Sequence, residues 1–152
     1  MKKTLSVILV FVIVLSFTAC GQQVQKDITN EFDIDSQEWT MTTIQSQNKE
    51  EKGEIVAYGS NSNISEQAIK IDMVITAEDG QFTLNDKTNS KIYSGKYNLN
   101  RKSAISTTYD IFIGDIKGMA VVSCTKYNDD SQVDTMILSF DDYALSFLGK
   151  NK

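Results

Sequence analysis

IKIDMVIT, residues 69–76, puts Ile69, Ile71, Met73 and Ile75 on one side of an extended chain and Lys70, Asp72, Val74 and Thr76 on the other. Side chains in a strand alternate between faces, so a run of this kind predicts a strand with one face in a core and one toward water. Glu78-Asp79-Gly80 follows at once. Asp-Gly tolerates the positive φ that a two-residue hairpin loop requires, and Gln81–Asn85 then returns with Phe82 and Leu84 inward. A hairpin is therefore expected at the centre of the chain.

The same pattern extends in both directions. Upstream, 38–46 (EWTMTTIQS) is a strand with Trp39, Met41 and Thr43 on one face, and 54–59 (EIVAYG) is a second, after the charged turn 47–53. Residues 64–67 suggest one helical turn. Downstream, strands are expected over 91–99, 105–113, 119–127, 135–140 and 143–148, separated by turns rich in Gly, Asn, Asp and Ser. Gly95, inside the first of these, suggests a bulge or a sharp bend. The 105–113 run alternates on Ile105, Thr107, Tyr109, Ile111 and Ile113. Eight or nine short strands with no amphipathic helix among them predict an all-β fold. Sequential short turns favour an up-and-down antiparallel meander closing into a small barrel, which removes the exposed sheet edges.

Composition narrows the chemistry. The 152-residue chain has no His, which removes Ser-His-Asp and Cys-His catalysis, His-ligated zinc and imidazole switching together. A net charge of -5 and a single arginine, Arg101, argue against nucleic acid, whose phosphates demand clustered cations. The acid pairs Asp129-Asp130 and Asp141-Asp142 fall in expected turns, where Asp bonds its own backbone, and read as solvated turn residues instead of an acid–base pair. The oxygens of Asn128, Asp129, Asp130, Ser131 and Asp134 lack the spacing and glycine of a calcium loop. Cys124 reads as a buried free thiol. No catalytic residue, metal ligand or cofactor is expected, and the chain reads as a binding protein, not an enzyme.

The N-terminus carries a different signal. Lys2 and Lys3 precede an apolar run from Leu5 to Phe17, about 20 Å long as a helix against a hydrocarbon core of about 30 Å. That is the make-up of a cleaved export signal, expected over 1–19. Ser16-Phe17-Thr18-Ala19-Cys20-Gly21 resembles the lipobox of bacterial lipoproteins, in which a small residue precedes a cysteine that receives a diacylglyceryl group. The resemblance implies lipidation at Cys20 and attachment to the outer side of the cell membrane, where two or three acyl chains make release negligible. Residues 20–36 then form the lipidated cysteine and a polar tether, and 37–150 the barrel domain.

Trp39 in the first strand, the meander and the aromatic last strand resemble lipocalin and calycin barrels, particularly small lipid-anchored bacterial proteins with lipocalin-like domains. That resemblance implies a small apolar ligand, for which Trp39, Met73, Phe82 and Tyr109 are the candidate contacts. The aromatic set, which also includes Tyr97, Phe112, Phe140, Tyr143 and Phe147, can equally fill the barrel, because eight strands enclose a space that side chains alone can occupy. The large inward residues favour a filled interior, with any ligand site at an open end. The alternative function is a cell-envelope structural or interaction module with a packed core and no small-molecule ligand, its partner an envelope protein.

Overall fold

The computed structural model describes residues 32–64 and 67–151. The expected signal, Cys20 and most of the expected tether lie outside them, as does part of the expected helical turn at 64–67. The described chain forms ten strands: β1 (Gln37–Ser46), β2 (Ile55–Gly59), β3 (Lys70–Ile71), β4 (Met73–Glu78), β5 (Gln81–Asp86), β6 (Lys91–Lys102), β7 (Ser106–Ile113), β8 (Ile116–Lys126), β9 (Gln132–Ser139) and β10 (Tyr143–Asn151). From β4 to β10 each strand pairs antiparallel with the next, and β1 lies between β4 and β10. The result is the expected all-β architecture, an antiparallel meander closed into a small lipocalin-like barrel of eight strands, with β2 and β3 added to it.

Local chemistry sets the turns. Asp79 and Gly80 both take positive φ, 50° and 78°, and close the β4–β5 hairpin with every residue from Met73 to Glu78 in register with Asp86 to Gln81. Gly95 departs from expectation. Pairing of β5 with β6 runs through it without a register shift. Its missing side chain instead makes room for the ring of Phe82, which a Cβ there would overlap, and for the Phe112 carbonyl, 2.6 Å from that Cβ position. The register shift of β6 lies further along, between Leu99 and Arg101.

The added strands alter one end of the barrel. Only Glu38, Thr40 and the Trp39 between them pair with β4. Beyond a bulge between Met41 and Thr43, β1 pairs instead with β2, which in turn pairs parallel with β3. This parallel contact is a departure from the wholly antiparallel meander. The bulge also turns the side chains over, so Ile44, expected on the face opposite Trp39, packs against the core. Gly59 sits at the fork, so close to β1 that a Cβ would overlap the Met41 carbonyl. One end of the barrel thus has eight strands in its wall, and the other has β2 wedged in as a ninth.

The eight-stranded end is packed. Trp39, Ile34, Ile75, Ile111, Val122, Met136, Leu138 and Phe147 are its largest fully buried side chains, with Trp39 at 0% exposure. Phe32–Ser36, assigned from sequence to the end of the tether, belong to this packing. Ile34–Ser36 form a single 3-10 turn started by Asp33, and Ile34 is buried to 1% exposure. The short polar stretch had hidden two apolar side chains, Phe32 and Ile34, whose burial outweighs its lack of periodicity.

Candidate functional site

The two ends of the barrel differ in chemistry. At the end where the chain enters, the Trp39 indole N–H donates to the Ile34 carbonyl at 2.8 Å. The Tyr109 hydroxyl accepts from the Ile34 amide at 3.4 Å and donates to the Asp33 carboxylate at 3.1 Å. Tyr97 stands edge-on to Tyr109, centroids 5.5 Å apart, takes a hydrogen bond from the Gly80 amide at 2.9 Å and donates to the Asp35 carboxylate. Burial, and then the Asp35 carboxylate, push the Tyr97 hydroxyl well above the ordinary tyrosine range. Burial does the same to Tyr109, with Asp33 adding to it. Both hydroxyls therefore remain neutral donors that bolt the 32–36 segment across the barrel floor.

The other end is a cup of about 740 Å³. Its wall is made by the inward side chains nearest the open rim: Ile44 of β1, Val56 and Ala57 of β2, Ile71 of β3, Met73 of β4, Leu84 of β5, Tyr93 of β6, Ile113 of β7, and Phe140, Tyr143 and Leu145 around the β9–β10 turn. Ile69 and Ile116 stand on the lip, 66% and 58% exposed. Asp141 and Asp142, in the β9–β10 turn, are the only charged ones among the described lining residues. The volume lies inside the range of about 300–1,000 Å³ common to small-molecule sites, and so does the composition, apolar with few polar groups.

The wedge explains why the cup is at this end. Barrel width grows with strand number, and eight strands enclose only what side chains fill. Adding β2 between β1 and β3 widens the wall where β4 has not yet met β1. Side chains that fill eight strands leave a void inside nine.

Of the four contacts expected from sequence, Met73 lies in the cup wall. Trp39, Phe82 and Tyr109 lie in the packed core, where Trp39 and Tyr109 hold the floor. Met73 belongs to the same core cluster and is the one of the four that also reaches the cup wall. The wall residues Ile44, Ile71, Leu84, Tyr93, Ile113 and Leu145 were not among the candidates. Their signal is present in the same alternating runs, one or two inward positions before each rim turn.

The remaining polar clusters are structural. The hydroxyl of Ser131, and then its amide, hold the Asp129 carboxyl below its usual range, and Lys126 pairs with Asp130 at 2.7 Å. The turn oxygens are thus engaged locally, and among the described residues no group of three or more His, Cys, Asp or Glu is placed to hold a metal ion. Cys124 is half-buried, not buried as expected, because it sits where β8 runs out at the floor end. Desolvation, and then the charge of Asp134, raise its thiol above the ordinary range, which disfavours the nucleophilic thiolate.

Comparison of the chain with protein-family models, with curated proteins and with solved structures finds no significant match.

Proposed function

We propose that this chain is a lipid-anchored, extracytoplasmic binding protein of lipocalin-like type, held to the cell membrane through Cys20 and carrying a small apolar ligand in the open cup. One observation carries the reading: a void of about 740 Å³, walled almost wholly by aliphatic and aromatic side chains, at the barrel end away from the entering chain. Supporting it, the floor is sealed by hydrogen bonds and large side chains, so a ligand has one way in. The lipobox-like SFTACG supports the anchor.

Two measurements test the two halves of the proposal. Native mass spectrometry of the protein purified from membranes is expected to show a bound apolar species, and the neutral dye N-phenyl-1-naphthylamine is expected to bind saturably and be displaced by it. A barrel with neither adduct nor dye binding contradicts the ligand. Cys20→Ser is expected to release the protein from membranes and abolish labelling by a fatty-acid probe; retention contradicts the anchor.

The second reading, an envelope interaction module, draws on the outer wall. There Val121 and Ile137 are cross-strand partners with Met119 two residues along, and Met119 and Ile137 are exposed. Substituting Met119 and Ile137 by Ser leaves dye binding intact under the first reading, and under the second abolishes in-cell cross-linking to an envelope protein.

A further inference from the structure

We infer that the cup selects amphiphiles whose head is a cationic nitrogen and rejects those with an anionic head, an inference that rests on the cup being a ligand site. An apolar void of this size accepts an alkyl or ring system by burial alone, so whatever discriminates among ligands must act on the head at the rim. There, among the described residues, the lining offers Asp141 and Asp142 and no Lys or Arg.

These two carboxylates are not neutralised by the protein. Among the described residues the ion pairs are Lys87 with Asp72 and Lys126 with Asp130, and neither involves the β9–β10 turn. The neighbouring 47–54 turn, joined to it by the Gln47 amide donating to the Asp142 carbonyl at 2.7 Å, carries Lys49 and Lys52 but also Glu50, Glu51 and Glu54. The β5–β6 turn at the same rim carries Asp86, held by the amide and side chain of Asn89 at 3.0 and 2.7 Å, together with Lys87, paired with Asp72, and Lys91; neither lysine is in the described cup lining. An anionic head seated above the cup meets like charge, and the hydroxyls of Tyr93 and Tyr143 offer it neutral donors but no compensating cation. A cationic head finds acceptors on the rim while its chain is buried below.

The test compares three ten-carbon probes that differ only in the head, decyltrimethylammonium, decanol and decyl sulfate, below their micellar concentrations. Binding is read from the methyl NMR signals of Ile71 and Ile116 in the full chain embedded in zwitterionic nanodiscs. Partition into the bilayer is the same for the wild type and for the exposed-turn variant Asp141→Asn/Asp142→Asn, so the comparison between proteins is free of it. Exposed ion pairs each change affinity by a few-fold, and exchanging attraction for repulsion at two carboxylates is expected to favour the ammonium over the sulfate by about tenfold or more. The double variant is expected to narrow that ratio to within about threefold, and Ile116→Lys, which adds a cation to the lip, to do so independently. Equal binding of ammonium and sulfate to the wild type overturns the selection while leaving the apolar site intact. If none of the three probes binds, the ligand site falls, and the selection with it.

Discussion

The floor and the mouth of this barrel are built from the same alternating strands, yet one is solid and the other hollow. At the floor, Trp39, Tyr97 and Tyr109 each hydrogen-bond a five-residue segment of the chain's own N-terminal approach, and the rings of Tyr97 and Tyr109 stand edge-on to each other. At the mouth, the inward residues are mostly aliphatic, face a void, and meet carboxylates only at the rim. The difference comes from pairing, since β1 meets β4 over three residues and then parts from it to admit β2. Packing is therefore concentrated at one end and open apolar volume at the other.

The largest effect that sharpens this contrast is expected from Trp39→Ala. Truncating a fully buried aromatic costs about 3–5 kcal/mol, and the indole bond to Ile34 is lost as well. Denaturant unfolding is expected to show that loss. The equivalent change at the mouth, Ile69→Ala, is expected to shift stability by less than about 0.5 kcal/mol, because a largely exposed residue gives up little burial. Similar costs at the two sites would break the contrast.

Gly59→Ala comes next. The new Cβ overlaps the Met41 carbonyl, a backbone atom that has no easy way to yield, so a cost of about 1–3 kcal/mol is expected. Because the fork holds the wedge open, binding of the neutral dye is expected to weaken in the protein that remains folded. Unchanged dye affinity would mean that the cup does not depend on β2.

Alkali gives a smaller, graded effect. The Tyr97 and Tyr109 hydroxyls have folded pKa values above the unfolded one. Their stabilising contribution is complete below the ordinary tyrosine pKa of about 10 and is lost as pH rises beyond it toward the folded values. Each should steepen the fall of stability by up to about 1.4 kcal/mol per pH unit in that window. In Tyr109→Phe the slope above pH 10 is expected to drop by about that amount, alongside a loss near neutral pH of about 1 kcal/mol from the missing hydrogen bonds. A slope unchanged from wild type would show that the floor hydroxyls ionise without opening it.

Much of this architecture was legible in the sequence, and what was missed has a common cause. Period-two alternation placed Met73, Ile75, Phe82, Leu84, Tyr109 and Ile111 inward, and Asp79-Gly80 marked its turn, because each signal is carried by neighbours along the chain. The fork was invisible. Whether β1 pairs with β2 or β4 depends on contacts dozens of residues apart, and the bulge that turns Ile44 inward leaves no trace in local composition. The alternation that is correct for Met73 also points Ile69 at the core, but Ile69 lies just before β3 on the lip of the cup and is largely exposed. Gly95 was recognised as special for a reason that only the Phe82 ring supplies. Of the four expected contacts, Met73 lines the cup, whereas Trp39, Phe82 and Tyr109 lie in the core, because an inward aromatic reads the same along the chain whether it fills the barrel or faces a void; the cup is lined mainly by Ile, Leu, Val and Met.

The most direct test is a methyl-NMR titration of the full chain with N-phenyl-1-naphthylamine. The hollow-mouth account predicts saturable shifts at Ile44, Ile71, Met73 and Ile116, with Ile34, Ile75, Ile111 and Val122 unmoved. Shifts centred on the second group, or none that saturate, would contradict it.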